Sequence, residues 1–274
     1  TAIAIGDAMK KEGLLKDYTV TYKTNAPLGL GYFYDQKGRN DILLITGFAM
    51  PGGLATNGSK LTITTANAVA GVMREAEAFA VPTSSKYKTI NDLLDDIKAN
   101  PKSVAIGGGN YGGVDHVTVA TLAATVGVKA TDLNYIPYSG GGTLTPDVIG
   151  GRVAVGISGT SEFSSYVSAG KMRILAVTSP KPLKVIKGKT LIQQGVNLTF
   201  GNWRGILAPA DLSAADLLNT LKVIDTLHAT DSWKDTLVAK SWIDEYRVGS
   251  AFSSWIKTEN AAIIKVLTDF KLIK

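Results

Sequence analysis

Apolar residues recur along this chain at two spacings, and the two spacings alternate. Over 1–12 the positions Ile5, Ala8 and Met9 share one side of a 3.6-residue period that Gly13 stops, which predicts a helix. Tyr18-Thr19-Val20-Thr21-Tyr22 alternates like a strand, and 28–34 is apolar enough for a second helix ended by Gly38. The continuous apolar run 41–46 has strand length and suits a parallel sheet buried on both faces. Further strands are predicted at 78–81, 103–106, 133–137, 152–157 and 172–178, with helices over 93–99, 114–126 and from Ser161 to Ala169. Thr89-Ile90-Asn91-Asp92 has capping-box spacing, with Asp where Glu or Gln is usual, and Ser213 to Asp216 repeats it ahead of a long helix toward His228. Residues 202–209 read as extended, 181–189 as an exposed loop, and the chain closes on a helix around Trp233 and an amphipathic helix over 252–272.

Strand, polar or glycine turn, then helix is the recurring unit, and it predicts an α/β fold with parallel sheets. In such sheets the loops at the carboxyl ends of the strands line the ligand crevice. Four loops hold that position: Gly47; Gly107 to Gly113; Ser139, Gly140, Gly141, Gly142 and Thr143; and Ser158, Gly159, Thr160 and Ser161. Successive glycines allow main-chain N–H groups to converge, and a helix start adds a positive dipole end, so Ser139 to Thr143 describes an anion cradle. A mobile linker is the competing reading of those glycines taken alone.

Length and composition narrow the classes. At 274 residues with 45% hydrophobic and 19% charged positions, the chain is globular and long enough for two domains. The net charge of +6 is spread along helices rather than gathered in a run, so nucleic acid is not an expected partner. The absence of cysteine excludes disulfides and thiolate catalysis. With two separated histidines, His116 and His228, no zinc site is expected, and His116 is assigned a structural hydrogen bond. The chain opens inside a pattern without Met, so processing or truncation ahead of Thr1 is expected.

Gly107-x-Gly109-x-x-Gly112 fits the dinucleotide fingerprint between a strand and a helix, yet the next strand ends in Tyr138-Ser139 without the acidic residue the ribose needs. Gly188-Lys189-Thr190 lacks the first glycine of a phosphate-binding loop, and Gly156-Ile157-Ser158-Gly159-Thr160 falls one glycine short of a nucleophile elbow. Glu162 and Asp147 lie near the rim without pairing for acid–base work. An enzyme reading therefore lacks nucleophile, base and metal, and none is assigned; a binding reading needs only the loops.

Several segments together resemble the substrate-binding proteins of tripartite tricarboxylate transporters, the citrate-binding and Bordetella uptake gene group. They are 44–50, the glycine-rich 107–116 with Val114 in place of the family's threonine, Tyr138-Ser139-Gly140-Gly141-Gly142, Gly150-Gly151-Arg152-Val153, the run 169–179, and Asn202-Trp203-Arg204-Gly205 followed by Ala208-Pro209. The resemblance implies a two-lobed type II periplasmic binding-protein fold, each lobe a mostly parallel sheet flanked by helices. One lobe would take 1–102 plus 206–274 and the other 103–205, with hinge crossings near 104 and 204. It implies a periplasmic or otherwise extracytoplasmic, possibly lipid-anchored receptor and no cofactor. The receptor, expected as a monomer, would hold a small organic carboxylate, citrate-like and tri- or dicarboxylic, between the lobes for membrane permease subunits. The best carboxylate site implied is 139–143, with Gly109 to Gly113, Thr46 to Phe48 and Ser158 to Thr160 completing the rim. Trp203 either walls the pocket or packs at the hinge, and Arg204 is expected to form a hinge ion pair. The alternatives are an NAD-dependent oxidoreductase using Gly107 to Gly112, and a non-transport sensor or interaction protein on the same fold. In the family a strand and a Pro-Gly-Gly-Gly-Trp-Asp-like loop precede the first helix; here the sequence opens at that helix, so they stand ahead of Thr1 in the intact protein or the lobe is built without them.

Overall fold

The computed structural model describes residues 1–184 and 186–273. In chain order the main elements begin with α1 (Ala2–Lys11), α2 (Ala26–Tyr34), β1 (Leu44–Gly47), α3 (Ala49–Thr56), β2 (Asn67–Glu75) and β3 (Glu77–Pro82). They continue through α4 (Ile90–Ala99), β4 (Ala105–Gly108), α5 (Val114–Ala124), β5 (Asn134–Pro137), α6 (Gly141–Ile149), β6 (Val155–Gly159) and α7 (Thr160–Ser168). The last are β7 (Met172–Val177), β8 (Asn202–Ala208), α8 (Ala214–Ala229), α9 (Asp231–Ala239), β9 (Trp242–Ile243), β10 (Arg247–Val248) and α10 (Gly249–Asp269).

These elements form two compact units. Unit 1 joins Thr1–Arg74 to Trp203–Val266 around a sheet of order β1-β8-β2-β10, with β9 also on β2. Its core packs Val69, Val72 and Met73 of β2 and Ile206 of β8 under Ile5, Ala8 and Met9 of α1 and Ile224, Leu227, Trp233 and Leu237 of α8 and α9. The helical spacing of the α1 residues is what turns that face inward. Trp203, Trp233, Trp242 and Trp255, the chain's whole complement of tryptophan, belong to this unit.

Unit 2 contains Glu75–Asn202 and the chain from Leu267 onward, around a sheet of order β5-β4-β6-β3-β7. Its core gathers Phe79, Val81, Ile106, Tyr135, Val155 and Ile157 from the strands, with Ile90, Leu93 and Ile97 of α4 and Val119 and Leu122 of α5. The capping box of α4 is formed: the Asp92 N–H donates to Thr89 Oγ1 (3.2 Å) and the Thr89 N–H to Asp92 Oδ2 (3.0 Å).

Three expectations need correction. The first crossing falls between Arg74 and Glu75 rather than near 104, because β3 pairs with β6 and β7 and α4 packs on the unit 2 core; the return lies between Asn202 and Trp203. The parallel reading holds for β4 with β5 and β6, but β3 runs antiparallel to both its neighbours, and the β1–β8 and β2–β10 registers are antiparallel too. A strand that enters a sheet from another unit, rather than through a helix laid over the sheet, is free of the crossover that makes neighbours parallel. The alternating 18–22 run forms no strand: the Tyr18 hydroxyl donates to Asp7 Oδ1 (2.5 Å), holding that ring on α1. In the 181–189 loop Val185 lies outside the described residues, while Ile186 is buried. Among the described residues, no helix is long and apolar enough to cross a membrane.

Candidate functional site

The loop that leads into α6 is held from outside and left open within. Tyr138 extends β5 by donating its N–H to the Gly108 carbonyl (2.7 Å), and its hydroxyl donates to Asp147 Oδ2 (2.7 Å). Asp147 also takes the Arg152 guanidinium, which holds its carboxyl below the usual range, while burial and Asp147 push the Tyr138 phenol up to about 12. Gly140 caps α6 at φ +155° and ψ 175°, a conformation open to glycine and strained for other residues. Its carbonyl accepts the N–H groups of Thr143 and Leu144 (both 3.2 Å) and the Thr143 hydroxyl (2.9 Å). The N–H groups of Gly140, Gly141 and Gly142 have no acceptor among the described residues, and no side chain caps the helix.

The loop between β4 and α5 is closed by its own helix. The Gly109 N–H donates to Asp115 Oδ2 (2.7 Å), the Gly112 N–H to His116 Nδ1 (3.1 Å) and the Gly113 N–H to the Asn110 carbonyl (2.9 Å). Acceptance at Nδ1 leaves the His116 proton on Nε2. Tyr135 donates its hydroxyl to the Gly109 carbonyl (2.7 Å), Tyr111 donates to the Tyr135 carbonyl (3.0 Å), and the His116 ring lies against both tyrosines at 4.4 and 5.1 Å between centroids. Burial keeps both helix residues neutral near pH 5: it pushes Asp115 up to about 6, with Glu75 and Glu162 adding repulsion, and holds His116 down to about 4. Glu77, fully buried, adds a further carboxyl to the interior of this unit. What stays open here is the N–H of Asn110 and of Tyr111 and the Asn110 side-chain amide. The structural hydrogen bond expected of His116 is present. The dinucleotide fingerprint loses its use, because two of its glycine amides already have acceptors.

The third unit 2 loop, Ser158 to Thr160, carries a resident acid. The Thr160 N–H donates to the Ala76 carbonyl (3.0 Å), and Glu75 Oε1 accepts from the Ser161 N–H (3.0 Å) and hydroxyl (2.5 Å). The first turn of α7 is therefore capped by the residue at which the chain enters unit 2. The Thr160 hydroxyl is fully buried without a partner. Glu75 was invisible as a site residue because nothing in the order of residues brings it beside Ser161; the one signal was a glutamate at the end of an apolar strand.

In unit 1, Thr46 and Gly47 end β1 and Phe48 caps α3 without a side-chain bond. Thr46 and Phe48 are buried, and the Thr46 hydroxyl has no partner. Trp203 is 1% exposed, edge-on to Phe252 and Trp255 at 6.4 and 5.2 Å, with its indole N–H unpartnered. Arg204 donates to the Trp203 carbonyl (3.4 Å), and Arg74 and Arg247 each pair with Glu245 (2.5 and 3.2 Å). His228 stacks on Tyr246 at 3.8 Å and meets Asp244 at 3.0 Å. Among the described residues no group of three or more His, Asp or Glu side chains could hold a metal.

Comparison with known proteins places this geometry. Residues 59–232 match the tripartite tricarboxylate transporter family receptor, TctC. A protein encoded in the clcB-clcD intergenic region of Pseudomonas knackmussii is 30% identical over 114 residues, 40% of this chain. One from the TAR-I ttuE-ttuC' intergenic region of Agrobacterium vitis is 27% identical over 129 residues, 46% of this chain. The matched stretches span 63% and 36% of those relatives' lengths. Among solved structures, a TctC solute-binding protein from Polaromonas has a TM-score of 0.75 at 19% identity, covering 98% of this chain and 93% of that one. MatC from Rhodopseudomonas palustris with bound malate gives 0.79 at 14%, covering 97% and 92%; another R. palustris protein, with adipate, gives 0.79 at 18%, covering 98% and 91%. At these identities the structural likeness establishes the fold, that of the two-lobed periplasmic binding proteins. The family match runs over well more than half of the sequence, and the chain belongs to the tripartite tricarboxylate transporter receptor family.

Proposed function

We propose that this receptor captures a small organic carboxylate on the Ser139 to Thr143 loop. It acts as an extracytoplasmic monomer, without catalysis or cofactor, and passes the ligand to the permease subunits of a tripartite transporter. The observation that carries the reading is the set of unaccepted N–H groups at Gly140, Gly141 and Gly142, gathered at the positive end of α6 in a chain of a receptor family. Asn110 and Tyr111 offer further donors in the same unit. A tri- or dicarboxylate of the citrate kind is the finer form of the proposal, supported by the family's description and by the malate and adipate bound to two proteins of this fold.

A thermal-denaturation panel tests it. Citrate, malate, adipate, a monocarboxylate, an amino acid and NAD are each added to the protein. A ligand that binds only the folded state adds about 2.7 kcal/mol at a hundredfold excess over its dissociation constant. At least one carboxylate is expected to raise the melting temperature and NAD is not. A shift with NAD alone, or with no organic acid at all, overturns the reading.

A further inference from the structure

Unit 2 carries a concentration of charge that capture of a carboxylate does not use. No Asp or Glu stands between Glu162 and Asp211, and within unit 2 that stretch holds Lys171, Arg173, Lys181, Lys184, Lys187 and Lys189, a charge equal to the +6 of the whole chain. The excess is gathered here rather than spread along helices. Arg173 turns inward and donates to the carbonyls of Ser85 (3.0 Å) and Tyr87. The five lysines are exposed, and among the described residues none of their ammonium groups has a hydrogen-bond or ion-pair partner. Two acids of α4 have partners of their own: Asp96 pairs with Lys86 (2.5 Å), and Asp92 accepts the N–H groups of Lys88 (2.6 Å) and Thr89 (3.0 Å). Most of this charge sits on a fixed frame. β7 is the outer strand of its sheet, and the chain returns along it. The Val177 N–H donates to the Lys189 carbonyl and the Leu191 N–H to the Val177 carbonyl (both 3.0 Å), while the Ser179 hydroxyl donates to the Lys181 carbonyl (2.7 Å). Ile186 and Thr190 are buried and Gly188 lies against Ile174, so the exposed Lys187 and Lys189 face outward between them.

Lysine on a strand edge blocks pairing with another edge, and Lys187 and Lys189 meet that need; Lys171, Lys181 and Lys184 stand outside the paired run. Nor does the charge steer an acid to the 139–143 loop. β5, which leads into that loop, is the opposite edge strand of the same sheet. At about 4.8 Å per strand the two edges are about 19 Å apart, beyond a screening length of about 8 Å at physiological salt. Protein interfaces favour aromatic residues and arginine and are poor in lysine, and the sequence from Lys171 to Thr199 has no aromatic residue. Ammonium groups on long stems match a layer of phosphate headgroups, which asks for charge and little shape. We infer that this lysine strap along β7 docks the protein on the headgroups of an anionic phospholipid bilayer.

Co-sedimentation of the full chain with vesicles tests this. Vesicles of equal parts phosphatidylcholine and phosphatidylglycerol are expected to carry the protein down at low salt and to release it near about 0.5 M salt, and pure phosphatidylcholine is not expected to hold it. Lys187→Gln with Lys189→Gln should lower the partition coefficient about twentyfold, at about fivefold for each charge at the surface. The same charge removed from unit 1, by Lys60→Gln with Lys222→Gln, should change it less than about twofold. Both double variants should keep the native melting temperature, because all four side chains are exposed and without a partner among the described residues. Equal binding to the two kinds of vesicle overturns the inference. So does an equal loss from the unit 1 pair, since net charge alone would then be at work. Failure to sediment overturns it as well; if immobilised polyaspartate then retains the chain, the strap fits an acidic protein face instead. The carboxylate reading stands or falls separately, because the strap variants should leave the thermal panel unaltered.

Discussion

Two glycine-rich loops of unit 2, 109–113 and 139–143, stand at the ends of neighbouring parallel strands and open onto helices, yet only the second keeps its glycine amides unaccepted. At 109–113 the first turn of the following helix carries Asp115 and His116, acceptors long enough to reach back to Gly109 and Gly112. At 139–143 the equivalent turn carries Gly141, Gly142 and Thr143, and the Thr143 hydroxyl reaches back as a donor, to the Gly140 carbonyl. Glycine in a loop makes the N–H groups accessible; the side chains of the next helical turn decide whether they stay so. The first loop is a braced wall and the second an open hand.

The comparison can be broken by placing the same methyl group in each region. Gly108→Ala puts a Cβ 2.4 Å from the Tyr135 hydroxyl oxygen and 2.8 Å from Ile157 Cγ2 in the braced region. Overpacking of that kind costs about 3 kcal/mol, and the loss is read in chemical denaturation. Asp115 and His116 come next. Asp115 has its folded pKa raised to about 6 from 3.8, so its contribution is full below 3.8 and lost as the pH rises through 6. His116, lowered to about 4 from 6.5, contributes fully above 6.5 and less as the pH falls toward 4, so the two slopes oppose one another in the native protein. Asp115→Asn keeps an acceptor for Gly109 and removes the charge. It is expected to raise stability at pH 7.5, where the native protein must hold an ionised carboxylate in a buried site, and the gain should shrink toward pH 4, where that carboxyl is neutral. Melting temperature against pH checks both the size and the slope. The smallest effect has the opposite sign to the first. Gly142→Ala meets nothing within 4 Å in α6, so stability should rise by about 0.5 to 1 kcal/mol while carboxylate affinity falls, because the methyl group stands beside the open amides. If Gly142→Ala destabilised the fold as Gly108→Ala does, the two loops would be alike after all.

Much of unit 2 was legible because local period and local purpose agree there. Each of β4–α5, β5–α6 and β6–α7 is an apolar strand followed by glycine or serine and an apolar helix, and the caps at Thr89 and Ser213 were readable from spacing alone. The misreadings share one cause. Tyr18 to Tyr22 alternates as a strand should, but a strand needs a partner edge, and the Tyr18 hydroxyl finds Asp7 instead. β2 and β3 are separated by the single residue Ala76, and the passage from one unit to the other falls at their junction, where neither glycine nor proline marks it. At the site, the open glycines could be read and their neighbours could not. Glu75 comes to Ser161 from 86 positions away, and Glu162 lies over Gly141 through packing that no short motif encodes.

The placement of every indole in one unit has a practical consequence. Light absorbed near 295 nm excites Trp203, Trp233, Trp242 and Trp255 alone, so emission watches unit 1, while the candidate cradle at 139–143 belongs to unit 2. Emission that responds to an acid seated on Gly140 to Gly142 would therefore be a signal carried beyond the unit that holds the ligand. A tryptophan introduced at exposed Tyr111 would give the silent half a voice of its own.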